Sequence, residues 1–205
     1  MRYTSFDIQR TLQLSVMPKD RLLALATEAS KVRVLLGDVA ELGVYRGGST
    51  LLLAAVLRNK IVHAFESFEG LIDLSANHDR LRQTASDRGH LPGDFSIAGS
   101  KKIEKIEKRL ERAGILFYRG RFAARKDEIA SRSFCLAHFD ADTYFTAKEF
   151  LEFFYPRLVH GGRIILDDYG WKATPGVERA VADFNAKLNI PIYALAPFQA
   201  MIIKE

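Results

Sequence analysis

The chain has 205 residues, 48% of them apolar and 27% charged, with a net charge of +5, the make-up of one soluble globular domain large enough for a full core. Its lone cysteine, Cys135, excludes an internal disulfide framework and points to a reducing compartment. No apolar run reaches the ~20 residues of a membrane span, and Met1 to Pro18 lacks a signal peptide's hydrophobic core, so the expectation is one cytoplasmic domain over residues 1–205 with no membrane partner.

Residues 1–36 read as an N-terminal helical segment, with Leu22, Leu25, Ala26, Ala29 and Val32 at helical spacing. Asp38 to Leu42 is predicted as the first strand and Gly48 to Arg58 as a helix capped by Ser49 or Thr50. Ile61 to Phe65 is the second strand, ending at Glu66. Leu71 to Ser100 is polar and turn-rich, and 71–99 reads as a lid. Lys101 to Arg112 gives an amphipathic helix with Ile103, Ile106 and Leu110 on one side. Its interleaved glutamates argue against a nucleic-acid partner. A strand at Ile115 to Tyr118 and a short helix after Phe122 follow. Phe134 to Phe139 is a buried strand ending at Asp140. Thr146 to Leu158 is a helix with Phe150, Leu151, Phe153 and Phe154 inward. Gly161-Gly162 is predicted to turn the chain into a strand at Arg163 to Leu166, which ends at Asp167-Asp168. Pro175 starts a helix that runs to about Leu188. Pro191 to Leu195 and Gln199 to Ile203 close the chain as an antiparallel pair. Strand alternates with helix until that last pair, so the predicted fold is a doubly wound, mostly parallel, Rossmann-like α/β sheet with a C-terminal antiparallel strand.

Within this pattern the run Glu41-Leu-Gly-Val-Tyr-Arg-Gly-Gly-Ser49 sits between a strand and a helix, which is how a cofactor cradle is built. Glycines let the backbone approach a ligand, and the helix start offers free N–H groups. The glycines lack the G-x-G-x-x-G spacing of a dinucleotide site, and no lysine completes a P-loop. An acidic-x-Gly-x-x-x-Gly loop, Glu41 to Gly47, resembles the first motif of S-adenosylmethionine-dependent methyltransferases.

Three further strand ends are also acidic: Glu66, Asp140 with Asp142, and Asp167-Asp168. In a parallel sheet those ends share one edge and converge on one cleft. Glu66 is placed to accept the hydroxyls of a ribose. Clustered aspartates repel unless a cation or proton joins them, and oxygen-only ligands suit Mg²⁺. The competing reading makes Asp167-Asp168 the opening of a turn at Tyr169-Gly170. His63, His90, His138 and His160 are isolated in sequence. His138, beside the acidic cluster, is placed to support it by hydrogen bonding, and His90 lies in the lid.

Taken together, five runs resemble the macrocin/mycinamicin O-methyltransferase family: Glu41 to Ser49, Ala64-Phe-Glu-Ser-Phe-Glu-Gly-Leu71, Phe139-Asp-Ala-Asp-Thr-Tyr144, Tyr155 to Gly162, and Asp167-Asp-Tyr-Gly170. The resemblance implies S-adenosylmethionine held by Glu41, Gly43, Tyr45, Gly47, Ser49, Glu66, Ser67 and Asp140. It also implies Mg²⁺ on Asp140, Asp167 and Asp168, Asp142 as general base, and a small-molecule hydroxyl acceptor such as a sugar or other vicinal diol. It leaves room for a homo-oligomer. Glu66 stands where the family carries aspartate, and Arg121 to Lys126 departs from the family's Thr-Leu-Pro segment. The alternatives are a non-catalytic S-adenosylmethionine-binding domain and an RNA methyltransferase.

Overall fold

A computed structural model describes residues 9, 12–83 and 89–205. The first ten or so residues of the expected N-terminal segment, and 84–88 of the expected lid, lie outside the described residues. The elements are α1 (Lys19–Lys31), β1 (Asp38–Leu42), α2 (Gly48–Val56), β2 (Val62–Glu66), α3 (Lys102–Arg112), β3 (Leu116–Arg119), the one-turn α4 (Phe122–Arg125), β4 (Phe134–Phe139), α5 (Tyr144–Phe154), β5 (Leu158–Asp167), α6 (Pro175–Asn185), β6 (Tyr193–Ala196) and β7 (Gln199–Ile203). Among the described residues no helix is long and apolar enough to cross a membrane.

The strands form one sheet in the order β3-β2-β1-β4-β5-β7-β6. The first five are mutually parallel, and β7 runs antiparallel to β5 and β6. Side chains alternate between the two faces, as the strand period requires. On one face Leu42, Phe65, Phe139 and Leu166 pack with Phe150, Phe154, Val177 and Val181 of α5 and α6. On the other, Val39, Val62, Leu136 and Ile165 pack with Leu25, Ala29, Leu53, Ile103 and Leu110 of α1, α2 and α3. The first face is dominated by aromatic rings, with Phe150 and Phe154 centroids 4.5 Å apart and Phe134 and Phe154 5.0 Å apart. Burying each such ring contributes ~1.5–3 kcal/mol, so this layer fixes where α5 and α6 sit. Leu42 pairs with both Phe65 and Phe139, and Phe139 with Leu166. The strands therefore end level, and Gly43, Glu66, Asp140 and Asp167 stand along one edge.

Two local expectations are corrected. Gly161-Gly162 do not turn into a strand; β5 begins at Leu158 and runs through them. The Gly161 N–H donates to Lys204 O (2.8 Å) and the Lys204 N–H to Gly162 O (2.9 Å), so the pairing continues while Gly161 takes φ +76°, a kink inside the strand that glycine accommodates. The cap of α2 is Gly47 in the left-handed conformation, with no side-chain cap. Thr50 is instead inside the helix and donates its hydroxyl to Glu41.

Candidate active site

A cavity of about 610 Å³ opens at the carboxyl edge of the parallel strands, within the range of small-molecule sites. Gly43, Tyr45, Glu66, Ser67, Asp140, Asp142 and Asp168 line it, and Phe95, Phe145, Trp171 and Phe198 stand round its mouth. Glu41, Gly47, Ser49 and Asp167 do not line it and are buried. Glu41, Gly47 and Ser49, expected to hold the cofactor, stand behind the cavity wall. Glu41 points to the opposite sheet face, Gly47 is the helix cap, and Ser49 is packed inside the first turn of α2.

At the β1–β2 end the glycine loop lies against β4. Gly43 has φ +95°, and a Cβ there would collide with the backbone carbonyl of Asp140, so only glycine permits the approach. The loop is pinned by Glu66. Its Oε2 accepts the N–H groups of Val44 (3.1 Å) and Tyr45 (2.8 Å), and its Oε1 accepts that of Phe68 (2.7 Å). Tyr45 and Phe68 are both left-handed, at φ 47° and 61°, a conformation that costs a non-glycine residue roughly 1–2 kcal/mol and is offset here by charge-assisted hydrogen bonds. A carboxylate has about four acceptor sites, so little of Glu66 stays free for a ribose as the loop stands.

At the β4–β5 end a buried ionic chain runs behind the cavity. His138 Nδ1 is 2.8 Å from Glu41 Oε1, and its Nε2 is 2.7 Å from Asp167 Oδ2. The support expected of His138 is present, directed at Glu41 and Asp167. Burial disfavours its charged ring, but the hydrogen bonds and charges of the two carboxylates win and push its pKa up to about 10. Gln199 Nε2 donates to both oxygens of Asp167 (3.2 and 3.3 Å). Arg21, from the first turns of α1, brings Nη1 to 2.9 Å from Asp168 Oδ1 and 3.4 Å from Asp167 Oδ1.

The carboxyls on the cavity side are less well neutralised. Burial, then the charges of Asp167 and Asp168, hold Asp140 well above the usual carboxylate range. Burial, then the charge of Asp168 and a hydrogen bond with it, do the same for Asp142. Asp142 and Asp168 are left-handed, at φ 64° and 63°, which aspartate tolerates better than most residues; such strain gathers at functional sites. Asp142 does not cap α5. That helix has Thr143 at its N-cap without a side-chain bond, and its first N–H, of Tyr144, is taken by Asp79 Oδ1 at 2.9 Å. Asp167-Asp168 do not merely open a turn, since both are held by ion pairs. Among the described residues, however, no three acidic, histidine or cysteine side chains are arranged as ligands of one ion. The donor chemistry of Asp140, Asp167 and Asp168 suits a hard cation, but the present rotamers of Asp167 and Asp168 are drawn onto His138, Gln199 and Arg21.

Arg21, Gln199 and Asp79 are functional neighbours that the sequence reading misses. Their partners lie 146, 32 and 65 residues away, and no local pattern announces them. Residues 71–83 and 89–99 carry no helix or strand apart from a single bridge, Leu81 to His90. They are tied to the body at Asp79 and at Ile97 N–H to Phe68 O (3.1 Å).

The strand order, the glycine loop after β1 and the acidic strand ends define the class: this is the fold of the class I S-adenosylmethionine-dependent methyltransferases. The chain belongs to the macrocin-O-methyltransferase (TylF) family, whose profile matches residues 2–196. It is 30% identical to the 8-demethyl-8-(2,3-dimethoxy-alpha-L-rhamnosyl)-tetracenomycin-C 4'-O-methyltransferase of Streptomyces olivaceus, over 75% of this chain and 60% of that one. It is 27% identical to the mycinamicin III 3''-O-methyltransferase of Micromonospora griseorubida, over 75% and 62%. The chain thus spans only about three fifths of these relatives' length. Among solved structures, CalS11, a calicheamicin methyltransferase, superposes with a TM-score of 0.76 at 20% identity, covering 97% of this chain and 91% of that one. An O-methyltransferase of Bacillus cereus in complex with SAH gives 0.65 at 14%, covering 98% and 92%.

Proposed function

We propose that this chain moves a methyl group from S-adenosylmethionine to a hydroxyl of a small molecule, a sugar or other vicinal diol of secondary metabolism, with the help of Mg²⁺ and in the cytoplasm. The observation that carries the reading is one cavity with a pinned glycine loop at one end and a cluster of charge-burdened aspartates at the other. Family membership supports the class of reaction.

The cofactor would lie along Gly43, Tyr45, Glu66, Ser67 and Asp140, on the loop that Glu41, Gly47 and Ser49 shape from behind. A sulfonium cofactor carries positive charge, which the acidic end of the cavity favours. Asp140, Asp167 and Asp168 would hold the metal, which supplies a lowered pKa for the acceptor hydroxyl. Asp142, which lines the same cavity two residues beyond Asp140, takes the hydroxyl proton. Phe145 and Trp171 at the mouth exclude water from the reacting atoms, and residues 71–83 and 89–99 cover them as a lid. Isothermal calorimetry with S-adenosylhomocysteine and methyl transfer to a panel of glycosides, each with and without chelator, test the proposal. Absence of S-adenosylhomocysteine binding at millimolar ligand would sink the cofactor assignment, and full transfer in excess chelator would sink the metal.

A further inference from the structure

We infer that Arg21 is an internal counter-ion that competes with a divalent cation for Asp168 and Asp167, so that binding the ion draws Arg21 away and loosens the cavity wall that Arg21 fastens. The inference rests on the metal reading above and concerns what this chain does to that metal.

Arg21 is buried, at 8% exposure, and its contacts join three separate parts of the fold. Nη1 reaches Asp168 and Asp167 at the end of β5. Nε donates to Pro197 O (2.9 Å) in the β6–β7 turn. The guanidinium lies 5.6 Å from the centre of the Phe198 ring, at a turn residue with φ 60°. The backbone carbonyl of Arg21 accepts from Gln199 Nε2 (3.4 Å), the same amide that holds Asp167. A single side chain thus ties the first turns of α1 and the Pro197–Phe198 turn to the acidic cluster. Pro18, Pro197 and Phe198, beside that tie, are parts of the cavity wall.

A guanidinium and a divalent cation cannot share these carboxylates at low cost. They are like charges, and their repulsion is strong where water is scarce. The ion has twice the charge and takes oxygen ligands only, so at sufficient concentration it displaces the arginine. Until then the arginine lowers the apparent metal affinity, because only the undocked fraction of molecules can bind. Removing the positive charge should therefore tighten metal binding, the opposite of what loss of a merely structural residue would do.

The experiment is a titration of the full chain with Mn²⁺, read by calorimetry and by loss of the free-ion paramagnetic resonance signal, for wild type, Arg21→Met and Arg21→Lys. Arg21→Met is expected to bind about tenfold tighter or more, and Arg21→Lys to lie between the two. A second reading uses wild type alone and so does not depend on the variants folding. Mg²⁺ should speed amide hydrogen exchange in residues 19–25 and change the emission of Trp171, the chain's one tryptophan, whose ring faces Phe198 at 6.4 Å. Metal binding by wild type with unchanged exchange, or Arg21→Met binding no tighter than wild type, overturns the inference and leaves the metal reading standing. No binding by any of the three proteins overturns both.

Discussion

At the β1–β2 end of the cleft one carboxylate, Glu66, has three backbone N–H partners. At the β4–β5 end five acids, Glu41, Asp140, Asp142, Asp167 and Asp168, share two cations, His138 and Arg21. The first arrangement satisfies its charge locally and holds a loop in one shape. The second leaves Asp140 and Asp142 without an ion-pair partner, and burial together with the neighbouring carboxylate charges raises both above the ordinary range. A region that is complete suits binding, where the geometry should already exist. A region that is incomplete suits chemistry, where a proton must move and a cation has somewhere to go.

If the two ends are independent, damage to the acidic end should spare cofactor binding. Asp142→Asn keeps size and removes basicity, so turnover is expected to fall by about 10²–10⁴-fold with S-adenosylhomocysteine affinity unchanged by calorimetry. An enzyme of full activity would remove Asp142 from the reaction.

The buried chain behind the cavity is a test of stability. His138→Ala leaves Glu41 and Asp167 facing each other without their shared cation, which costs about 3–5 kcal/mol, measured by urea unfolding. The pH dependence has a definite sign. The folded pKa of about 10 lies above the unfolded ~6.5, so the charged ring's contribution is complete below pH ~6.5. It is lost as the pH rises towards 10, because the unfolded chain gives up the proton first. Wild type should therefore lose stability across that window more steeply than His138→Ala. Equal slopes would mean that His138 is neutral in the fold.

Gly43 is where the two ends touch, so it can break their independence. Gly43→Ala adds a Cβ at φ +95° against the Asp140 carbonyl. Left-handed strain of roughly 1–2 kcal/mol and overpacking of roughly 1–3 kcal/mol predict a loss of about 2–5 kcal/mol, seen as a lower denaturation midpoint together with weaker S-adenosylhomocysteine binding. A stable variant with normal affinity would show that the loop can move off β4.

What the sequence makes legible is the part written in local pattern. The bounds of β1 and β4 follow to the residue, because each is an apolar run stopped by a glycine or an acid, and the acidic strand ends converge because parallel strands that pair level must end level. Gly161-Gly162 mislead, since glycine serves a kink inside a strand as readily as a turn before one. The directions of the polar side chains are not legible. Glu66 is read as facing a ribose; it lines the cavity, and its oxygens also accept three backbone N–H groups of the loop. Nothing in the local pattern singles out Arg21, yet two aspartates 146 and 147 residues away bind it.

The smallest effect concerns Glu66. Glu66→Gln keeps the length of the side chain but replaces one accepting oxygen with a donor. The amide can then serve the Val44 and Tyr45 N–H groups or the Phe68 N–H, not both sets, and the left-handed Tyr45 loses its anchor or Phe68 does. Loss of a hydrogen bond to a charged group costs about 1.5–3 kcal/mol, so S-adenosylhomocysteine affinity is expected to fall roughly 10- to 150-fold. Glu66→Asp separates the two tasks of the carboxylate. The shorter acid keeps its charge but gives up reach towards the loop, freeing acceptor sites for a ribose. If direct contact with the ligand dominates, Glu66→Asp binds as well as wild type; if holding the loop dominates, it weakens as Glu66→Gln does. The three N–H partners of Glu66 favour the second outcome, and calorimetry on the two variants side by side decides between them.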